Sequence, residues 1–187
     1  MPTPSSFRRS LRCGGALALL GALALVPAAF GQSGSGGIGL PGSSGVTVKG
    51  AEAKLRNGRA IAPESAPVKV KRAIRAANEI AKGHPYCYGG GHARWKSRCY
   101  DCSGSVSYVL GKYGARVLDS PLPSSGFTSW GKRGKGNWIT VYAYSGHAYA
   151  VIAGLRFDTS MTPGQGPGWS EEMRSSAGFE KRHRGKL

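Results

Sequence analysis

The stretch Asp101-Cys102-Ser103-Gly104-Ser105-Val106-Ser107-Tyr108-Val109-Leu110 constrains this chain most. Val106, Val109, Leu110 and Tyr113 recur at spacings of three and four, which predicts a helix with one buried face. Asp101 or Ser103 is placed to cap its start, and Gly114 stands where a helix commonly stops. Cys102 then falls at or just before the first turn. There, unpaired backbone N–H groups and the positive end of the helix dipole favour a negative group. A thiol so placed ionises below its usual pH, and the thiolate is the form that attacks carbonyl carbon. The same stretch also allows a structural reading, with Cys102 as a small buried hydrophobe or half of a disulfide.

The cysteine count bears on that choice. Residues 1–31 have the order of a secretory signal peptide: Arg8, Arg9 and Arg12, an apolar run from Gly14 to Phe30, then small residues with Ala29-Phe30-Gly31 as a cleavage site. An uncleaved membrane anchor is the alternative. Export implies an oxidising compartment, and Cys13 leaves with the signal, so Cys87, Cys99 and Cys102 remain. An odd number suggests one disulfide and one free thiol. Pairing of Cys87 with Cys99 would leave Cys102 free.

Charge speaks to partners rather than fold. Without the signal arginines, 23 basic residues face 9 acidic ones, a net +14 for the mature chain. For an exported protein that balance suits anionic wall polymers or anionic lipid, with a merely solvated basic surface as the plain alternative. No aromatic–basic interleaving suggests base stacking, so no nucleic-acid partner is expected.

Residues 32–67 read as a flexible Gly/Ser/Pro-rich linker, whose last part, from Ala51, carries turn signals at Asn57-Gly58, Pro63 and Pro67. Residues 68–187 form the expected domain. Val70, Ile74, Ala77 and Ile80-Ala81 make a helical stripe over Val68 to Lys82. Three consecutive glycines, Gly89 to Gly91, permit close backbone approach or a turn with positive φ. Ser124 to Gly136 reads as a basic loop. Three strand-like runs follow: Trp138 to Tyr144, His147 to Ala153 and Leu155 to Ser160. Phe179 to Leu187 is a basic tail able to add a last edge strand.

If Ala153-Gly154 is a two-residue hairpin turn, paired positions sum to 307 and His147, Tyr149 and Asp158 share one face. His147 is then the diagonal neighbour of Asp158, within reach of its side chain. A slip of one residue would separate them. In register, an acid orients an imidazole on a sheet while a helix presents a thiolate: nucleophile, base and orienter.

These residues resemble the NlpC-type bacterial cell-wall peptidases, papain-like enzymes that cut peptidoglycan stem peptides. The likeness rests on Tyr86-Cys87-Tyr88-Gly89-Gly90, on Asp101-Cys102-Ser103-Gly104 heading a helix, and on Gly146-His147 opening an apolar strand. It implies an α+β, papain-like fold in which the nucleophile-bearing helix packs on an antiparallel β-sheet. By resemblance Cys102 is the nucleophile, His147 the general base and Asp158 the third member, a place where the family more often has His, Asn or Gln. Tyr86, Asp101 and Ser103 match positions that hold the free amino end of the substrate, and a carboxylate with two hydroxyls suits an ammonium group. The bond implied lies between D-glutamate and the diamino acid. The family's Pro-Gly-Asp turn before the histidine strand is replaced by Lys135-Gly136-Asn137-Trp138.

Three other readings compete. Cys99-Tyr100-Asp101-Cys102 is a C-x-x-C ahead of a helix, as in thiol redox domains, but no βαβ pattern surrounds it. His84, Cys87, His92, Cys99 and Cys102 offer zinc-ligand chemistry at spacings that match no finger or ribbon. A wall-binding module without activity is the third. The peptidase reading expects no cofactor, no metal and a monomer, secreted or held at the cell wall.

Overall fold

The computed structural model describes residues 46–81, 83–161 and 165–187. The expected signal peptide and residues 32–45 of the expected linker lie outside them. Residues 46–67 are not linker in character. Lys54–Arg56 (β1) and Arg59–Ile61 (β2) form a hairpin across Asn57-Gly58, both with positive φ (51° and 72°). That is the backbone a two-residue turn matched to strand twist requires. Ala53, Ala60 and Ala66 are buried in the main core. Asn78 of the first helix holds the hairpin, accepting from Ala60 N at 2.9 Å and donating to Ala60 O at 2.8 Å. Small residues carry this docking, so no run of large apolar side chains marked the segment as part of the domain.

Helix α1 (Val68–Ile80) buries Val70, Ala73, Ile74, Ala76, Ala77 and Ile80, the stripe expected from the spacing. Burying each Val or Ile contributes roughly 1.5–3 kcal/mol. Helix α2 (Cys102–Leu110) is buried on every side, which explains why its apolar positions are eked out with Ser and Gly. Its hydroxyls are satisfied locally: Ser105 Oγ donates to Cys102 O at 2.8 Å, and Ser107 Oγ accepts from Leu122 N at 3.0 Å. Tyr108 OH donates to Glu79 Oε2 at 2.7 Å and ties α2 to α1. The helix ends at Leu110, with Gly111 as its cap, four residues before Gly114. A Cβ at Gly111 would collide with the Trp95 ring, so the chain must leave the helix bare at that point.

Within the region expected to be a basic loop, the short helix α3 (Ser124–Phe127) seats Phe127 in the core, and β3 (Lys132–Arg133) joins the sheet. The sheet is completed by β4 (Ile139–Tyr144), β5 (His147–Ile152), β6 (Leu155–Asp158), β7 (Gly168–Ser170) and β8 (Glu180–His183). Its order is β3-β8-β4-β5-β6-β7, antiparallel throughout. The tail strand β8 is therefore interior, between β3 and β4, rather than an edge. Its charged sequence hid this, because long side chains can lie along the sheet with their heads in water.

The β5–β6 register pairs Ala150 with Phe157, Val151 with Arg156 and Ile152 with Leu155, as a two-residue turn at Ala153-Gly154 requires. Both turn residues have positive φ, 47° and 86°. Alternation sends Ala148, Ala150 and Ile152 into the core against the helices and leaves His147 and Tyr149 on the other face. The α+β arrangement is thus a buried helix led by Cys102, packed on an antiparallel sheet.

Candidate active site

The amino end of α2 faces the start of β5. Asp101 is its N-cap, with Oδ1 accepting from Gly104 N at 2.7 Å. Cys102 is a free, buried cysteine, and it is the first residue of the helix. Its thiol interacts with the His147 ring and with the Ala148 backbone. Nε2 of His147 lies 2.8 Å from Asp158 Oδ1, which leaves Nδ1 as the ring atom available to the thiol. The order is Cys102, His147, Asp158.

Burial opposes charge on all three groups, and their contacts with one another overcome it. Burial pushes the Cys102 thiol up, but hydrogen bonding from His147 and Ala148, with the attraction of His147, brings it below its ordinary value. Burial pulls His147 down, whereas Asp158 and Cys102 together raise it to about 9. Burial pushes Asp158 up, yet His147 and Ser160 hold it at about 2. A thiolate–imidazolium pair backed by a carboxylate satisfies these directions.

Asp158 is fixed by more than the histidine. Oδ1 also accepts from Thr159 N at 2.7 Å and Ser160 N at 3.1 Å; Oδ2 accepts from Ser160 Oγ at 2.9 Å and Arg174 at 3.2 Å. Phe179 and Tyr149 wall the imidazole, with ring centroids 6.3 and 6.4 Å away. Ser160 and Phe179 stood at the ends of runs read as strands, with no role at the site, and Arg174 carried no signal in the sequence.

The other half of the site is the loop before α2. Cys87 and Cys99 form a disulfide with Cα atoms 5.6 Å apart, which leaves Cys102 as the free thiol. The bridge removes Cys99 from the C-x-x-C redox reading, and Cys87 and Cys99 from the zinc set. The glycine run is needed for close approach. A Cβ at Gly90 would lie 2.6 Å from Cys87 Sγ, and one at Gly104 would run into the Gly90 carbonyl. Asp101 N donates to Gly90 O at 3.1 Å, and Gly89 N donates to Asp101 Oδ2 at 3.0 Å. One carboxylate therefore caps the helix and pins the loop.

Ser103 Oγ donates to Asp101 Oδ1 at 3.3 Å, and a third residue joins them. His92 Nε2 lies 3.0 Å from Asp101 Oδ1 and 3.1 Å from Ser103 Oγ. His92 follows the glycine turn in sequence, a position that hinted at the cleft without fixing a partner. Tyr86 is half exposed, and the negative charges of Cys102 and Asp101 add to burial in holding its hydroxyl protonated.

No protein-family model matches the sequence, and no curated protein matches it. Among solved structures, the chain is similar to the crystal structure of the P60 domain of an antigen from M. avium subspecies paratuberculosis. The TM-score is 0.44 at 18% identity, and the match covers 61% of this chain and 93% of that one.

Proposed function

We propose that this chain is a cysteine peptidase that hydrolyses peptide bonds in peptidoglycan stem peptides. One observation carries the reaction class: a free thiol at a helix amino end, held below its ordinary pKa by an imidazole that a buried carboxylate orients. The substrate class rests on the motif resemblance to NlpC-type peptidases and, with it, the D-glutamyl–diamino acid bond.

In this mechanism the Cys102 thiolate attacks the scissile carbonyl carbon. Backbone N–H groups at the amino end of α2 stabilise the oxyanion. The imidazolium of His147 gives its proton to the leaving amine, and an acyl-enzyme thioester remains. His147 then takes a proton from water, which attacks the thioester and frees the thiolate. Asp158 keeps the ring aimed and stabilises its positive form without itself being protonated. Asp101, Ser103 and Tyr86 receive the free amino end of the stem peptide, with His92 locking the first two.

Export through residues 1–31 would deliver the enzyme to the wall, where its +14 mature charge favours retention on anionic polymer. Retention should then weaken with added salt. The decisive test is mass analysis of purified stem peptides after incubation with the protein and with Cys102→Ala. Cleavage by the parent alone supports the peptidase. Cleavage by both, or by neither on any stem peptide, refutes it.

A further inference from the structure

We propose that Arg174 is a positioning residue of this unit: it anchors Asp158 from the side opposite His147 and limits how firmly that carboxylate holds the imidazole. The inference rests on the peptidase reading of the same site.

The two oxygens of Asp158 have divided tasks. Oδ1 faces the imidazole and the Thr159 and Ser160 N–H groups. Oδ2 faces Ser160 Oγ and the Arg174 guanidinium, whose Nη1 also donates to Ser160 Oγ at 2.8 Å. Asp158 is the last residue of β6, so the strand ladder does not fix its side chain beyond that point. Arg174 closes it in. The Asp158 side chain has no exposure, whereas that of Arg174 keeps 32% and reaches solvent. The guanidinium also lies over the rings of Tyr149 and Phe179, 5.4 and 5.2 Å from their centroids. Those same two rings wall His147. One side chain thus braces the carboxylate and both aromatic walls of the imidazole.

Charge gives the brace a second consequence. The groups bearing on His147 and its partners are Cys102 from α2 and Asp101 at its cap, Tyr142 from β4, Tyr149 from β5, Asp158 and Arg156 from β6, Tyr86 from the loop, and Arg174. Arg174 is the cation bonded to Asp158, and the buried Nε of Arg156 has no hydrogen-bond partner among the described residues. A buried carboxylate with no other counter-charge would grip the imidazolium and resist proton delivery to the leaving amine. A second cation on the other oxygen shares that charge.

The test compares the full chain with Arg174→Gln, Arg174→Lys and Arg174→Ala in two pH profiles. One is kcat/KM on a stem peptide. The other is the rate of Cys102 alkylation by iodoacetamide, which needs no substrate. Arg174→Gln should move the alkaline transition, set by loss of the His147 proton, upward by roughly half a pH unit. It should lower kcat several-fold with KM little changed. Arg174→Lys should return the transition toward its original place while recovering part of kcat. Arg174→Ala should move it as Gln does, with a larger loss of kcat. Variants that lose stability and activity together with both profiles unmoved would reduce Arg174 to packing and overturn the proposal. So would unchanged kcat in all three. If no stem peptide is cleaved but the alkylation transition still moves, the positioning role stands and the peptidase reading falls. If the parent cleaves and neither profile moves, the reverse holds.

Discussion

The β5–β6 hairpin and the loop over residues 83–101 each deliver half of one site, by different physics. The hairpin places His147 and Asp158 by register: a two-residue turn fixes the pairing, and the pairing fixes the faces. The loop has no ladder to rely on. It is held by a disulfide, by glycines that admit backbone contact, and by Asp101, which bonds Gly89, His92 and Gly104 at once. A ladder spreads its stabilisation over many similar bonds, whereas the loop concentrates it in a few groups. Damage should therefore be graded in the hairpin and abrupt in the loop.

The two halves meet at Cys102 and His147, where the largest effect is expected. Cys102→Ala and His147→Ala should each lower turnover by about a thousandfold or more, with the circular dichroism spectrum unchanged. Substantial turnover in either variant would show that the halves do not act as one unit. Next is Gly104→Ala, whose Cβ runs into the Gly90 carbonyl. A clash of backbone on backbone belongs at the upper end of overpacking costs, about 3 kcal/mol, read by denaturant unfolding. Replacing both Cys87 and Cys99 by Ser should cost about 2–3 kcal/mol and depress activity, because the bridge closes a short loop beside the thiol. The mildest change falls in the hairpin. Gly154→Ala keeps a positive φ of 86°, and its Cβ comes no nearer than 3.4 Å to Glu52, so about 1 kcal/mol is expected. If Gly154→Ala proved costlier than Gly104→Ala, the contrast between the two regions would be wrong.

A pH experiment sharpens the junction itself. His147 is raised from 6.5 to about 9, so its contribution to stability is complete below pH 6.5 and lost as pH rises toward 9. Cys102 is lowered from 9.0, so its contribution is complete above that value and lost as pH falls. Where both shifts act the two slopes oppose, because folding then charges the pair without net proton uptake. In Cys102→Ala the share of the histidine shift supplied by the thiol is lost, and only the slope that Asp158 sustains remains. The stability gap between parent and variant should therefore widen as pH rises above 6.5, measured by thermal unfolding. Parallel curves would mean that no thiolate–imidazolium pair exists.

The same contrast explains what the sequence disclosed. Periodicity and turn chemistry located α1, α2 and the β5–β6 register, and the register put His147 beside Asp158. The loop's glycines announced close approach but not its target, and His92 stood next to them without a visible partner. Arg174 was silent, because it stands 16 positions along the chain from the carboxylate it braces. The β1–β2 hairpin and β8 were misread for a related reason. Their inward positions use alanine and the stems of basic side chains, so burial left little apolar signature.

The central claim is a free thiol ionised by His147. It is tested most directly by treating the native protein with iodoacetamide near pH 6, without reductant, and mapping the adduct by mass. The account predicts a single alkylation, at Cys102, far faster than for an ordinary thiol at that pH and slowed to the ordinary rate in His147→Ala. No adduct, an adduct on Cys87 or Cys99, or a rate indifferent to His147 would contradict it.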